Sequence, residues 1–158
     1  MKFSDFFCFD AVIPEFTSQD RNGVITELMQ SLEKAGCIDS ADTEKITKAV
    51  IKRESEASTG LGKGVAIPHV KHKAINKVIA TIGQSSVGID FNSLDKMPVY
   101  SVLLLISPAN DPDQHLQAME NVFKHLQQEK FRKFLRQSQT KQQIQDLFKE
   151  ADEDDAFV

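Results

Sequence analysis

Apolar residues fall along this chain in more than one rhythm. Val24, Ile25, Leu28, Met29 and Leu32 recur at intervals of three and four. That spacing puts them on one face of a helix, and Gly36 stands where such a helix stops. A second helix is predicted over "DSADTEKITKAVIKRESEA". Asp39 or Ser40 can cap it, and Ile46, Ala49 and Val50 form its inward stripe. The rhythm then changes. "VAI" is strand-sized, "KVIATIGQ" is β-rich, and "SVGIDF" is a further strand candidate before a turn at "NSLDKMP". "VYSVLLLISPA" is a continuous apolar run bounded by Pro98 and Pro108, as expected of a central strand buried on both faces.

Three helical segments follow. "DPDQHLQAMENVFKHLQQ" opens with Asp111 as N-cap, Pro112 at the first helical position and Gln114 at the third. Its predicted stripe is Leu116, Met119, Val122, Phe123 and Leu126. "KFRKFLRQ" is short and basic, and "TKQQIQDLFKEA" starts with a Thr140–Gln143 capping box. The end, "EADEDDAFV", reads as a frayed acidic tail, which leaves an ordered core over about residues 3–150. Two helices, several strands and three more helices predict one α/β domain over 1–158, layered, with helices on both faces of a buried sheet. Strand order cannot be read from the pattern.

Composition narrows the partners. The chain has 158 residues, enough for one real core, with 41% hydrophobic and 27% charged residues. A net charge of −4 argues against nucleic acid, because phosphate neutralisation wants a basic face. No apolar stretch approaches the ~20 residues of a membrane span, so direct membrane insertion is not expected. Asp5 and Asp10 interrupt the apolar start, which lacks a cleavage-like end and is not read as a signal peptide. Cys8 and Cys37 have no metal or redox spacing and are expected to be two free thiols in a cytosolic protein.

The densest chemistry lies in "STGLGKGVAIPHVKH". Gly60, Gly62 and Gly64 give G-x-G-x-G ahead of a strand. A dinucleotide fingerprint needs G-x-G-x-x-G opening a helix. As a P-loop the stretch fails too, since Gly64 stands where Ser or Thr must hold magnesium and Ala57 where the first glycine belongs. His69 and His72 point to opposite faces of an extended segment, and no nearby cysteine or carboxylate completes a metal set. No metal or cofactor is therefore expected. What the stretch can do is present His69. Glycines permit a sharp turn, Val65 to Ile67 can anchor in the sheet, and Pro68 fixes its own φ and restricts Ile67. A plain structural histidine at a strand end fits the same local context.

Arg53 falls on the same stripe as Ile46 and Val50, near the end of its helix. On an inward face it must find an anion or extend its head into water. His115 falls in the first turn of the helix after the buried strand, where N–H groups and the helix dipole attract phosphate; a solvated first-turn histidine fits as well. Together, His69, Arg53 and His115 compose a candidate anion site. A neutral imidazole can form a covalent intermediate, and phosphoryl transfer asks mostly for positioning and charge stabilisation.

From Arg53 to His69, "RESEASTGLGKGVAIPH" resembles the signature of enzyme IIA proteins of the fructose–mannitol class, in the phosphoenolpyruvate-dependent phosphotransferase system. The nitrogen-regulatory IIA proteins are close relatives. "SPANDPDQHL" resembles the family's second histidine segment, and the resemblance covers nearly the whole chain. It implies a mixed sheet flanked by helices and a cytosolic phosphocarrier. His69 matches the phosphorylated histidine, Arg53 the active-site arginine, and His115 the second histidine that helps stabilise the phosphoryl group. The implied donor is an HPr-like protein. The implied recipient is a IIB protein, as in the sugar-specific branch, or a regulatory target whose affinity depends on His69 phosphorylation. The wording "ASTGLGKGVAIPH" leans toward the nitrogen-regulatory branch. Lys71, His72 and Lys73 belong to a docking rim or are simply solvated.

Overall fold

A computed structural model describes residues 1–153. The first helix, α1 (Arg21–Lys34), buries Val24, Ile25, Leu28, Met29 and Leu32. It ends as expected at Gly36, whose φ is +78°. There the N–H of Gly36 donates to the Glu33 carbonyl and that of Cys37 to the Leu32 carbonyl, closing a Schellman motif. Helix α2 (Ser40–Glu56) is capped by Asp39, which accepts the Ala41 N–H.

The glycine stretch is a hairpin. Strand β1 (Gly60–Gly62) turns back antiparallel into β2 (Val65–Ala66) through Lys63 and Gly64. Both turn residues have positive φ, 58° and 81°, the backbone shape that matches the twist of paired strands. Gly64 supplies it without strain, and the Lys63 N–H is held by Asp95 at 3.0 Å.

The sheet is mixed. Central strand β5 (Val99–Pro108) pairs in parallel with β2 and then with β3 (His69–His72) along one edge, and antiparallel with β4 (Ile79–Ile89) along the other. β2 and β3 are nearly one line of chain, broken at Ile67–Pro68. Proline has no N–H for the ladder, but its carbonyl accepts the Leu105 N–H at 3.0 Å. "KVIATIGQ" and "SVGIDF", read as two strands, form the single strand β4, with an irregularity between Gln84 and Ile89 where Gly88 has φ +92°.

Alternation along β5 divides the core. Leu103 and Leu105 face α3 (Pro112–Leu126), α4 (Glu129–Gln137), α5 (Lys141–Glu153) and the N-terminal phenylalanines. Val102, Leu104 and Ile106 face α1 and α2. Helices thus cover both faces, and the unbroken apolar run is explained. The N-terminal segment packs onto the fold. Phe3 in a 3-10 turn and Phe6 and Phe7 just after it are buried, and the Cys8 N–H donates to the Ala80 carbonyl of β4 at 2.7 Å.

Three expectations need correction. Cys8 and Cys37 are not separate thiols: they form a disulfide across 29 residues of sequence. The turn at Gly36 brings Cys37 back to a residue pinned on β4, a proximity that sequence spacing does not contain. Helix α3 is rolled relative to its apolar stripe. His115, Ala118, Val122, His125 and Leu126 face inward, while Leu116 is 61% exposed. Two inward histidines hid the true face from a reading based on apolar residues alone. Finally, residues 151–153 belong to α5, where the Asp152 carboxylate accepts the N–H groups of Phe3 and Ser4 at 2.7 and 2.9 Å. The rest of the expected tail lies outside the described residues.

Candidate functional site

Three elements meet beside Pro68. β3 starts at His69, α2 packs against β3 and ends near Arg53, and α3 packs on β5 with His115 in its first turn. The rings of His69 and His115 lie 5.7 Å apart, centroid to centroid. Arg53 is half-buried and close enough for its charge to act on His69. The three residues singled out from sequence are therefore brought to one locality.

His69 is held by its own strand. Its Nδ1 lies 2.8 Å from the Ile67 carbonyl. A carbonyl can only accept, so Nδ1 carries the proton and Nε2 keeps its lone pair. Burial holds the His69 pKa below the usual histidine range; Arg53 and Lys71 push the same way, while the Ile67 hydrogen bond and the Glu54 carboxylate oppose it. The ring is therefore neutral at neutral pH, with Nε2 unengaged by any described residue.

His115 is buried, with 8% of its surface exposed, and its Nδ1 lies 2.7 Å from the Ser107 hydroxyl. Burial lowers its pKa first, followed by the charges of His69 and Lys71. The helix end beside it is only partly open to an anion. Pro112 has no N–H, and Asp111 takes the Gln114 N–H and side-chain amide at 3.3 and 2.6 Å. Positive charge here rests on Arg53 and Lys71, beside two neutral imidazoles.

Arg53 donates from Nη1 to the Ala57 carbonyl at 2.9 Å, which anchors its head at the end of α2. The next residue, Glu54, was given no role from sequence, yet it is 1% exposed. Both its oxygens are taken by Thr59, at the entrance to the hairpin. Glu54 lies four residues after Val50 and eight after Ile46, on the same stripe, so its spacing pointed inward as clearly as that of Arg53; that Thr59 meets its carboxylate is a tertiary fact. His72 turns away from His69 and accepts the Ala74 N–H at 3.1 Å, a turn-closing role. Lys71 and Lys73 are exposed. Among the described residues, no group of three or more His, Cys, Asp or Glu is placed to hold a metal, and no helix is long and apolar enough to cross a membrane.

Residues 6–151 match the family model of the "Phosphoenolpyruvate-dependent sugar phosphotransferase system, EIIA 2". A fructose-specific EIIA component from Haloferax volcanii is 33% identical over 130 residues, covering 82% of this chain and 83% of that protein. A fructose-specific EIIABC component from Bacillus subtilis is 30% identical over 96% of this chain, which spans only 24% of that longer protein. A nitrogen regulatory protein from Bradyrhizobium diazoefficiens is 28% identical, with 91% and 92% of the two chains covered. In fold, the chain resembles nitrogen regulatory protein IIA-Ntr from Neisseria meningitidis, with TM-score 0.81 at 21% identity over 92% and 98% of the two chains. It also resembles enzyme IIAMTL in its complex with phosphorylated enzyme IIBMTL from Escherichia coli, with TM-score 0.74 at 17% identity over 91% and 99%. The chain belongs to the EIIA 2 family.

Proposed function

We propose that this chain is a phosphocarrier in which His69 takes a phosphoryl group from the phosphohistidine of an HPr-like protein. The Nε2 lone pair attacks phosphorus, the donor's P–N bond breaks, and the electron pair of that bond returns to the donor imidazole. The observation that carries this reading is the Ile67 carbonyl at His69 Nδ1, 2.8 Å away, which leaves Nε2 as the free nucleophile. Arg53 and His115 hold the phosphoryl oxygens, so the step needs no metal or cofactor. We assign the reaction to the cytoplasm, a reading that membership of the EIIA 2 family supports.

A nitrogen-regulatory-type branch is the first reading. It is supported by a nitrogen regulatory relative that aligns over nearly its full length. The sugar-specific reading, with transfer to a separate IIB, is favoured by the 33% identity to a fructose-specific EIIA component. In the regulatory case the recipient is a target whose affinity changes with His69 phosphorylation.

The test is a reconstituted assay with enzyme I, HPr and phosphoenolpyruvate. One acid-labile phosphoryl group is expected on the wild type and none on His69→Ala; equal labelling of both would remove His69 as acceptor. A screen of IIB proteins then separates the branches.

A further inference from the structure

We propose that Ser107 makes His115 a hydrogen-bond donor toward the phosphoryl group, by holding its ring in the Nε2–H form. This rests on the phosphocarrier reading for its purpose, though not for its geometry.

Ser107 closes the alternation of β5. Leu103 and Leu105 point toward α3 and its neighbours, and Ser107, two residues on, meets the side chain of His115. Ser107 has no exposed surface, and its Oγ lies 2.7 Å from His115 Nδ1. Among the described residues, that nitrogen is the only hydrogen-bond partner of the hydroxyl.

Two arrangements of protons fit this distance. In one, Nδ1–H donates to Oγ, and the serine proton is left buried without an acceptor. In the other, the serine O–H donates to a bare Nδ1, and the ring carries its proton on Nε2. The second leaves no buried donor unpaired: the serine proton meets Nδ1, and Nε2 is not among the fully buried atoms that lack a partner, so its proton can reach water. The hydroxyl therefore selects the Nε2–H ring.

The choice matters because burial keeps the imidazole neutral, with one proton to place. An Nε2–H ring donates to a phosphoryl oxygen. The other tautomer would face that oxygen with a lone pair and repel it. His69, 5.7 Å away, needs the opposite form and has the opposite partner, a carbonyl that can only accept. One site thus holds two histidines in two tautomers: a nucleophile set by Ile67 and a donor set by Ser107. A hydroxyl also suits the phosphorylated state. If the added negative charge draws a second proton onto His115, Oγ can rotate and accept it.

Two-bond 1H–15N correlation spectra of the histidine rings, recorded on the unmodified wild-type protein near neutral pH, test this directly. His115 is expected with a bare Nδ1 and protonated Nε2, and His69 with the reverse. A protonated Nδ1 on neutral His115 overturns the proposal, whether or not His69 accepts phosphate. If the tautomers are as stated but His69 is never phosphorylated, the phosphocarrier reading fails and the assignment of Ser107 stands. Ser107→Ala is expected to mix the His115 tautomers and slow transfer to His69 about 10-fold, one hydrogen bond's worth of barrier. Ser107→Thr, which keeps the hydroxyl, is expected to restore both. An alanine variant with wild-type tautomer and rate overturns the role of Ser107.

Discussion

Glu54 spends both carboxylate oxygens on Thr59, one on its N–H at 2.7 Å and one on its hydroxyl at 2.6 Å. This pair joins the last turn of α2, which carries Arg53, to the entrance of the hairpin that leads to His69. It also places a carboxylate where its charge acts on His69, against the downward push of burial and Arg53.

Glu54→Ala should leave the Thr59 N–H and hydroxyl without partners in a buried place. The cost is about 1–3 kcal/mol, read as a Tm lowered by roughly 5 °C. Glu54→Gln keeps the shape but removes the charge that raises the His69 pKa, so His69 should titrate lower than in the wild type. NMR titration curves that overlay would show that Glu54 does not reach the site electrostatically.

Arg53 is half-buried at a helix end, where truncation disturbs little packing. Arg53→Ala should change stability by less than about 1 kcal/mol and slow phosphoryl transfer by about 10²-fold. Rapid-quench measurement of transfer checks this. An unchanged rate would remove Arg53 from the site.

Acid should act on both histidines in one direction. Their pKa values are lowered in the fold, so at pH values just under ~6.5 the unfolded chain binds more protons than the native protein. Stability is therefore full above the unfolded value and falls as pH drops through the folded ones. Transfer to His69 should stay level past ~6.5 and decline only lower, as Nε2 is protonated. A midpoint at or above ~6.5 in the transfer profile would contradict the burial of His69.

Cys8–Cys37 closes a loop of 29 residues, for which chain entropy suggests a stabilisation of about 3–4 kcal/mol. Urea unfolding with and without reductant should show that difference, and thiol titration of the native, unreduced protein should find no free sulfhydryl. In a reducing cytoplasm the pair would exist as thiols. Transfer by the reduced protein should be unchanged, because the bridge ties the turn between α1 and α2 to the N-terminal segment, and Arg53 lies at the opposite end of α2.

Leu116 follows His115 on α3 and is 61% exposed, near Met119 and Phe123. Leu116→Ser should leave Tm within about 1 °C and raise the KM for the donor protein about 5-fold or more, the pattern of an apolar contact made only on docking. A normal KM would leave this apolar row without a docking role.

Helix starts and stops were legible because their causes are local. The Asp39 and Asp111 caps and the Gly36 stop each depend on residues within a turn or two. The buried central strand was legible for a related reason, since an unbroken apolar run has few other places to go. The residue types of the candidate site came from the sequence as well: an imidazole after a rigid proline, a guanidinium on an inward stripe, and a second imidazole in a first helical turn. Only tertiary structure decided the roll of α3, the merging of two strands into β4 and the joining of Cys8 to Cys37. It alone decided which atom of each histidine is free. Periodicity records which face of an element is apolar. It does not record which carbonyl or hydroxyl from another element meets a ring nitrogen, and those meetings place the protons on which the chemistry depends.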